Sequence, residues 1–127
     1  MPERAHRTDT GYDVFSRERI VLIPGRPTKI PLGFKFQPPL GYWADIRPRS
    51  GKTLSGLIIY PGTIDEGYRG ELCAIAVNTS CETLIISEGE KIAQMVLQKR
   101  IDIPMIQGKI LSKTERGGAG FGSTGNK

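Results

Sequence analysis

The 127-residue chain contains one histidine, two cysteines and one tryptophan, and only 7% of it is aromatic. Each scarcity removes a chemistry. His6 stands alone near the N-terminus, in a stretch expected to fray, so a Ser-His-Asp or Cys-His nucleophilic site has no credible base. Cys73 and Cys81 cannot complete a four-ligand structural zinc site, and one histidine cannot complete a three-histidine catalytic one. No run of about 18 apolar residues occurs, and Met-Pro-Glu-Arg-Ala-His-Arg at the start has no apolar signal core. The chain therefore reads as soluble and intracellular, cytoplasmic or nuclear, with no membrane partner. In that reducing setting the cysteines are expected to be free thiols, Cys73 buried in its apolar run, and the sequon Asn78-Thr79-Ser80 is expected to stay unmodified.

Charge of one sign is also thin. Eighteen Lys and Arg against thirteen Asp and Glu give a net charge of +5. The cations are scattered without a run of three or an aromatic-interleaved stripe, which favours a mildly basic solvated surface over stable nucleic-acid binding. A small anionic ligand stays open.

The length supports a single domain with its own core. Sixteen glycines and nine prolines punctuate it about every ten residues, with strands between the turns. From Thr28 to Gln37, Ile30, Leu32, Phe34 and Phe36 alternate with polar positions. Tyr42 to Arg49 places Tyr42, Ala44 and Ile46 on one side and Trp43, Asp45, Arg47 and Arg49 on the other. Glu71 to Val77 is apolar on both faces, as in a strand covered on both sides. In Lys91 to Lys99, Gln94 shares a face with Ile92, Val96 and Gln98 and needs a polar partner. One short helix is expected near Ser50 to Ser55. The pattern predicts an all-β antiparallel sandwich, jelly roll or barrel.

Two glycine motifs mislead. Gly120 to Gly125 fits the dinucleotide-binding pattern, but no helix can follow it. Gly51-Lys52-Thr53 mimics the end of a P-loop, but Ile46 stands where the first glycine is required. The residues themselves still suit anions. A glycine-rich tail can wrap backbone N–H groups around phosphate, with Arg116 for charge, Ser123 and Thr124 for hydroxyls and Phe121 for a stacking face. Arg49-Ser50-Gly51 at a strand end is a second candidate. A third is Pro61 to Gly70, a hairpin presenting Asp65 and Tyr68 beside open backbone.

Together with Thr8-Asp9-Thr10-Gly11-Tyr12-Asp13-Val14 and Gly89-Glu90-Lys91-Ile92-Ala93-Gln94, these stretches have the order and approximate spacing of the five motifs of trimeric dUTPases. The chain resembles that family from about residue 8 to 125. The resemblance implies a jelly-roll domain over residues 1–115, a flexible glycine-rich arm over 116–127 closing on the site, and a homotrimer with shared active sites. It implies hydrolysis of dUTP to dUMP and pyrophosphate with Mg²⁺, which limits uracil in DNA and supplies dUMP for thymidylate synthesis.

By motif, Asp65 is the general base, and Asp13 holds magnesium through its bound water. Gly62, Ile64, Tyr68, Cys73 and Phe121 take the base and sugar. Arg49, Ser50, Gly51, Gln94, Arg116, Gly122, Ser123 and Thr124 take the phosphates. Ile59 stands where many members have an asparagine that reaches uracil, which shifts base discrimination onto backbone. Lys52-Thr53 and Thr10 also depart from the common pattern. A dCTP deaminase of related fold, a nucleotide-sensing scaffold and a nucleic-acid binder are the alternatives. The complete tail, the intact Asp65, Asp13 and Gln94, and the scattered charge weigh against them in turn.

Overall fold

The computed structural model describes residues 1–108 and 111–118. Its elements are β1 (Tyr12–Phe15), β2 (Ile20–Leu22), β3 (Thr28–Lys35), β4 (Tyr42–Pro48), α1 (Ser50–Leu54), β5 (Leu57–Tyr60), β6 (Gly62–Ile64), β7 (Glu71–Asn78), β8 (Leu84–Ile86) and β9 (Lys91–Lys99). The strands form three antiparallel sheets, ordered β1-β9-β4-β6, β3-β7-β5 and β2-β8. This is the all-β jelly-roll class, and the short helix falls where the sequence put it.

Alternation builds the core. Ile30 and Leu32 of β3, Ala44 and Ile46 of β4, and Leu72, Ala74 and Ala76 of β7 are buried together, with Leu22, Ile59 and Ile92 packed among them. Burying each large aliphatic side chain contributes about 1.5–3 kcal/mol. One polar residue sits fully inside. The Asn78 amide donates to the carbonyls of Leu22 (2.9 Å) and Glu82 (2.7 Å), and its oxygen accepts from the Ser80 N–H (2.9 Å) and hydroxyl (2.7 Å). All four bonds that the side-chain amide can make, two donated and two accepted, are therefore in place.

Three expectations need correction. Strand β7 is buried along Leu72, Ala74 and Ala76, but its other face is covered only at Val77: Ile75 is 43% exposed and Cys73 half-buried, so the thiol is not sealed in the core. The N-terminal stretch is not frayed, since Glu3 and Asp13 exchange both backbone hydrogen bonds (3.1 and 2.6 Å). The hairpin expected over Pro61 to Gly70 is instead a loop between two sheets, because β6 pairs with β4 while β7 pairs with β3 and β5.

Candidate active site

The loop from β6 to β7, which carries the chain from one sheet to the other, forms the first half of the site. A cavity of about 210 Å³ is lined by Gly62, Thr63, Ile64, Tyr68 and Cys73, with Lys29, Ile46, Glu71 and Leu72. Four of the base and sugar residues named from sequence therefore meet here. Ile59 is not among the lining residues. Within the turn the Tyr68 N–H donates to the Asp65 carbonyl (3.0 Å), and the Tyr68 hydroxyl donates to the Glu71 carbonyl (3.0 Å). A Cβ on Gly70 would come within 2.2 Å of that hydroxyl oxygen, so only glycine lets the ring lie where it does. The Asp65 side chain is exposed and makes no hydrogen bond or ion pair with a described residue. Its carboxylate is free to orient a water.

Backbone in this half is also available. Cys73 lies opposite Pro31 of β3, which has no N–H to give, and the register shifts between Pro31 and Lys35. The Pro31 carbonyl accepts instead from the Arg17 N–H (2.9 Å). On the other edge β5 has already ended at the Tyr60–Ile75 pair. Main-chain groups of β7 near Cys73 thus lie beyond complete ladder pairing, which suits recognition of a hydrogen-bonding edge.

The second half is built from charge. Arg49, Ser50, Gly51 and Gln94 line a cavity of about 390 Å³ with Lys52 and Ser55. Arg49 and Gln94 also line a neighbouring one of about 280 Å³ with Ala5, Asp9, Thr10, Gly11 and Asp13. Strand register explains the meeting: Gln94 of β9 pairs with Asp13 of β1 on one side and Arg47 of β4 on the other. A Cβ on Gly11 would lie 3.0 Å from the Gln94 side-chain oxygen, so the glycine keeps that amide in place. Arg49 caps α1 in an extended conformation without a side-chain cap. At five residues that helix is too short for its dipole to matter, so anion attraction rests on side chains and local N–H groups.

Asp13 is 7% exposed and faces two cations, Lys91 Nζ at 3.1 Å and Arg49 Nε at 3.4 Å. The Asp13 hydrogen bond pushes the Lys91 ammonium above its usual value against an opposing burial effect, and Glu3 adds to the rise. Burial pushes the Glu90 carboxyl up, but the Lys52 hydrogen bond, the Ser87 N–H and the Lys52 charge outweigh it and hold it low. Lys91, Lys52, Lys29 and Thr63 had no role from sequence; for Lys29 the available signal was its polar-face position in the β3 alternation.

Among the described residues no three His, Cys, Asp or Glu side chains converge into a metal cage. A single buried carboxylate beside a phosphate-sized, cation-lined cavity does fit a Mg²⁺ ion that arrives ligated by its substrate's phosphates and keeps its waters. Arg116 lies in an exposed turn in which the Gly117 N–H donates to Thr114, and it lines none of these cavities. Phe121, Gly122, Ser123 and Thr124 lie outside the described residues. No described helix is long and apolar enough to cross a membrane.

Comparison with known proteins places the chain. The dUTPase family model matches residues 1–125. A deoxyuridine 5'-triphosphate nucleotidohydrolase of Clostridium novyi is 45% identical over 98% of this chain and 90% of its own length. A dUTPase mutant of Staphylococcus bacteriophage 80alpha, solved with dUpNHpp, superposes with a TM-score of 0.91 at 32% identity, covering 98% of this chain and 91% of that one. A mutant dUTPase from phage phi11 of S. aureus, described as coordinating a structural Mg(II) ion, gives 0.80 at 31% identity over 87% and 90%.

Proposed function

The chain belongs to the dUTPase family and is a dUTP diphosphatase, and on that premise we propose how its residues divide the reaction. The products are dUMP and pyrophosphate, and Mg²⁺ accompanies the substrate. The observation that carries the reading is the sorting of side chains into two places. Residues suited to a nucleoside gather at the β6–β7 loop, and residues suited to phosphate gather at the end of β4 and on β9.

In this reading uracil lies in the cavity at the β6–β7 loop, where main-chain groups near Cys73, with Gly62 and Ile64, meet its N3–H donor and flanking carbonyl acceptors. Cytosine reverses that pattern and would leave polar groups unpaired, which is costly in a buried site. Tyr68 packs beneath the deoxyribose, where a 2′-hydroxyl would collide. Asp65 accepts a proton from water, and the resulting hydroxide attacks the α-phosphorus in line as the bond to the αβ-bridging oxygen breaks and pyrophosphate leaves. General-base positioning of this kind contributes roughly 10²–10⁴ in rate.

Arg49, Ser50, Gly51 and Gln94 hold the triphosphate, and Asp13 holds the waters of Mg²⁺. When bound, that ion neutralises phosphate charge. Arg116 with Phe121, Gly122, Ser123 and Thr124 forms an arm over residues 116–127 that closes on the nucleotide, Phe121 stacking on the base. The two cavities share no lining residue, and the outer face of β7 is open at Ile75 and half open at Cys73. Both features support a homotrimer in which one chain's β6–β7 loop completes another chain's phosphate site. The product dUMP then serves thymidylate synthesis, and removal of dUTP keeps uracil out of DNA.

The test is pyrophosphate release from dUTP, dCTP, dTTP and UTP with Mg²⁺, with Asp65→Asn alongside. Turnover of dUTP alone, lost in the variant, is the expected result. Full turnover in Asp65→Asn would remove that residue from its role, and release from dCTP would mean that the β6–β7 loop reads bases by other rules.

A further inference from the structure

The Asp65 side chain makes no bond with a described residue, so its carboxylate points where the backbone on either side holds it. The next residue holds that backbone. Glu66 Oε2 accepts from the Gly41 N–H at 2.9 Å and from Arg100 Nη1 at 2.7 Å. Arg100 is in turn held by Asp102, Nε to Oδ1 at 2.8 Å and Nη2 to Oδ2 at 3.2 Å. The Arg100 N–H also donates to the Gly41 carbonyl at 2.8 Å. Gly41 is thus gripped through both its backbone groups by Glu66 and Arg100. The Asp102 pairing, followed by the Glu66 charge, pushes the Arg100 guanidinium further into its charged form.

The connection spans distant parts of the chain, since Gly41 precedes β4 and Arg100 follows β9 directly. These neighbouring strands of one sheet provide a rigid frame. On the loop side, Arg69 Nη1 donates to the carbonyls of Glu66 (2.6 Å) and Tyr68 (2.9 Å), and the Tyr68 N–H returns to Asp65. Ile64 pairs with Ala44 of β4, so the turn springs from that same sheet, and the Glu66 carboxylate, 23% exposed, ties it back to the sheet at a second place.

We propose that Glu66 is a positioning residue that fixes the Asp65 carboxylate and the Tyr68 ring by clamping the β6–β7 loop to Gly41 and Arg100. The inference rests on the role proposed above for Asp65. Glu66 touches neither substrate nor reacting water; it acts by holding the adjacent residue, and small misplacements of a reacting group are costly in rate.

The experiment measures kcat and KM for dUTP in wild type, Glu66→Ala, Glu66→Gln, Arg100→Ala and Asp65→Asn, with melting temperature for each. Glu66→Ala should lower kcat about 10-fold or more with KM little changed. Glu66→Gln keeps an acceptor for the Gly41 N–H and should recover most of that loss. Arg100→Ala, which leaves the Gly41 bond to Glu66, should fall between them. The pH profile of kcat should keep its shape, because geometry and not the base's proton affinity is altered. If Asp65→Asn is dead while both Glu66→Ala and Arg100→Ala keep wild-type kcat, the inference fails alone. If kcat in these variants falls only in step with melting temperature, and Gln does not rescue, the role is structural and the inference also fails. If Asp65→Asn keeps full turnover, the reading of Asp65 falls and takes this one with it.

Discussion

The two halves of the site use different physics. The cavity at the β6–β7 loop is shaped by a glycine, a tyrosine and strand backbone that has run out of ladder partners. The phosphate side gathers Arg49, Lys91, Asp13, Lys52 and Glu90 into half-buried ion pairs. Selection by shape and hydrogen bonding is insensitive to salt, whereas attraction by partly exposed charges is screened over about 10 Å at 0.1 M salt. Substitutions on the first side should thus change what is hydrolysed and whether chemistry occurs, and those on the second should change how tightly and under what conditions the triphosphate is held.

The largest effect that can break this division is at Asp65. Asp65→Asn should lower kcat by roughly 10²–10⁴ while dUTP affinity, measured calorimetrically, stays near wild type. A large loss of affinity would mean that the β6–β7 loop also carries phosphate binding. Next in size is Gly70→Ala. The new methyl would lie 2.2 Å from the Tyr68 hydroxyl oxygen, so the ring must move, at a cost of about 1–3 kcal/mol for such overpacking. Discrimination between dUTP and UTP should fall about 10-fold, at low and high salt alike. Unchanged discrimination would separate Tyr68 from sugar selection.

A smaller effect is expected from Lys91→Met on the other side. It removes the cation 3.1 Å from Asp13 and leaves that carboxylate to Arg49 alone, which draws the guanidinium away from phosphate. KM for dUTP should rise several-fold, roughly the worth of one charge-assisted hydrogen bond, and its dependence on ionic strength should flatten. An equal KM shift at every salt concentration would show that Lys91 acts through packing and would dissolve the contrast between the two halves.

The same contrast governs what could be read from sequence. Alternation located β3, β4 and β9 nearly to the residue, because a half-buried strand has a period that local sequence expresses. It also marked Gln94 as an amide in need of a polar partner, and the register sets that residue between Asp13 and Arg47. What it could not give was what lies over each face of a strand. The six apolar residues from Leu72 to Val77 look the same whether or not anything packs over their second face, so Cys73 and Ile75 were expected inside and are partly outside. The ion pairs joining Glu66 to Arg100 and Lys52 to Glu90 link residues 34 and 38 positions apart, and no local pattern announces such partners. The roles of Asp65, Tyr68 and Arg49 came from motif resemblance; composition alone left only a mildly basic β domain.

The smallest expected effect sharpens the comparison most cleanly because it is a pure charge effect. Glu90 Oε1 pairs with Lys52 Nζ, and Oε2 accepts the Ser87 N–H at 2.8 Å. Burial opposes the ionised form, but the Lys52 hydrogen bond and the remaining partners win and leave the Glu90 carboxyl below its ordinary value of 4.5. A carboxyl whose value is depressed in the folded state contributes stability that is present above the ordinary value and is lost as pH falls through the folded one. Both side chains are 28% exposed, so the contribution is about 1 kcal/mol or less. Wild type should therefore melt slightly above Glu90→Gln at neutral pH, and the gap should close as pH drops below 4.5. Other carboxylates titrate in both proteins and cancel in the difference. A gap that persists into acid would show that Glu90 holds α1 through shape, and the phosphate side would then owe part of its geometry to the same packing that builds the β6–β7 loop.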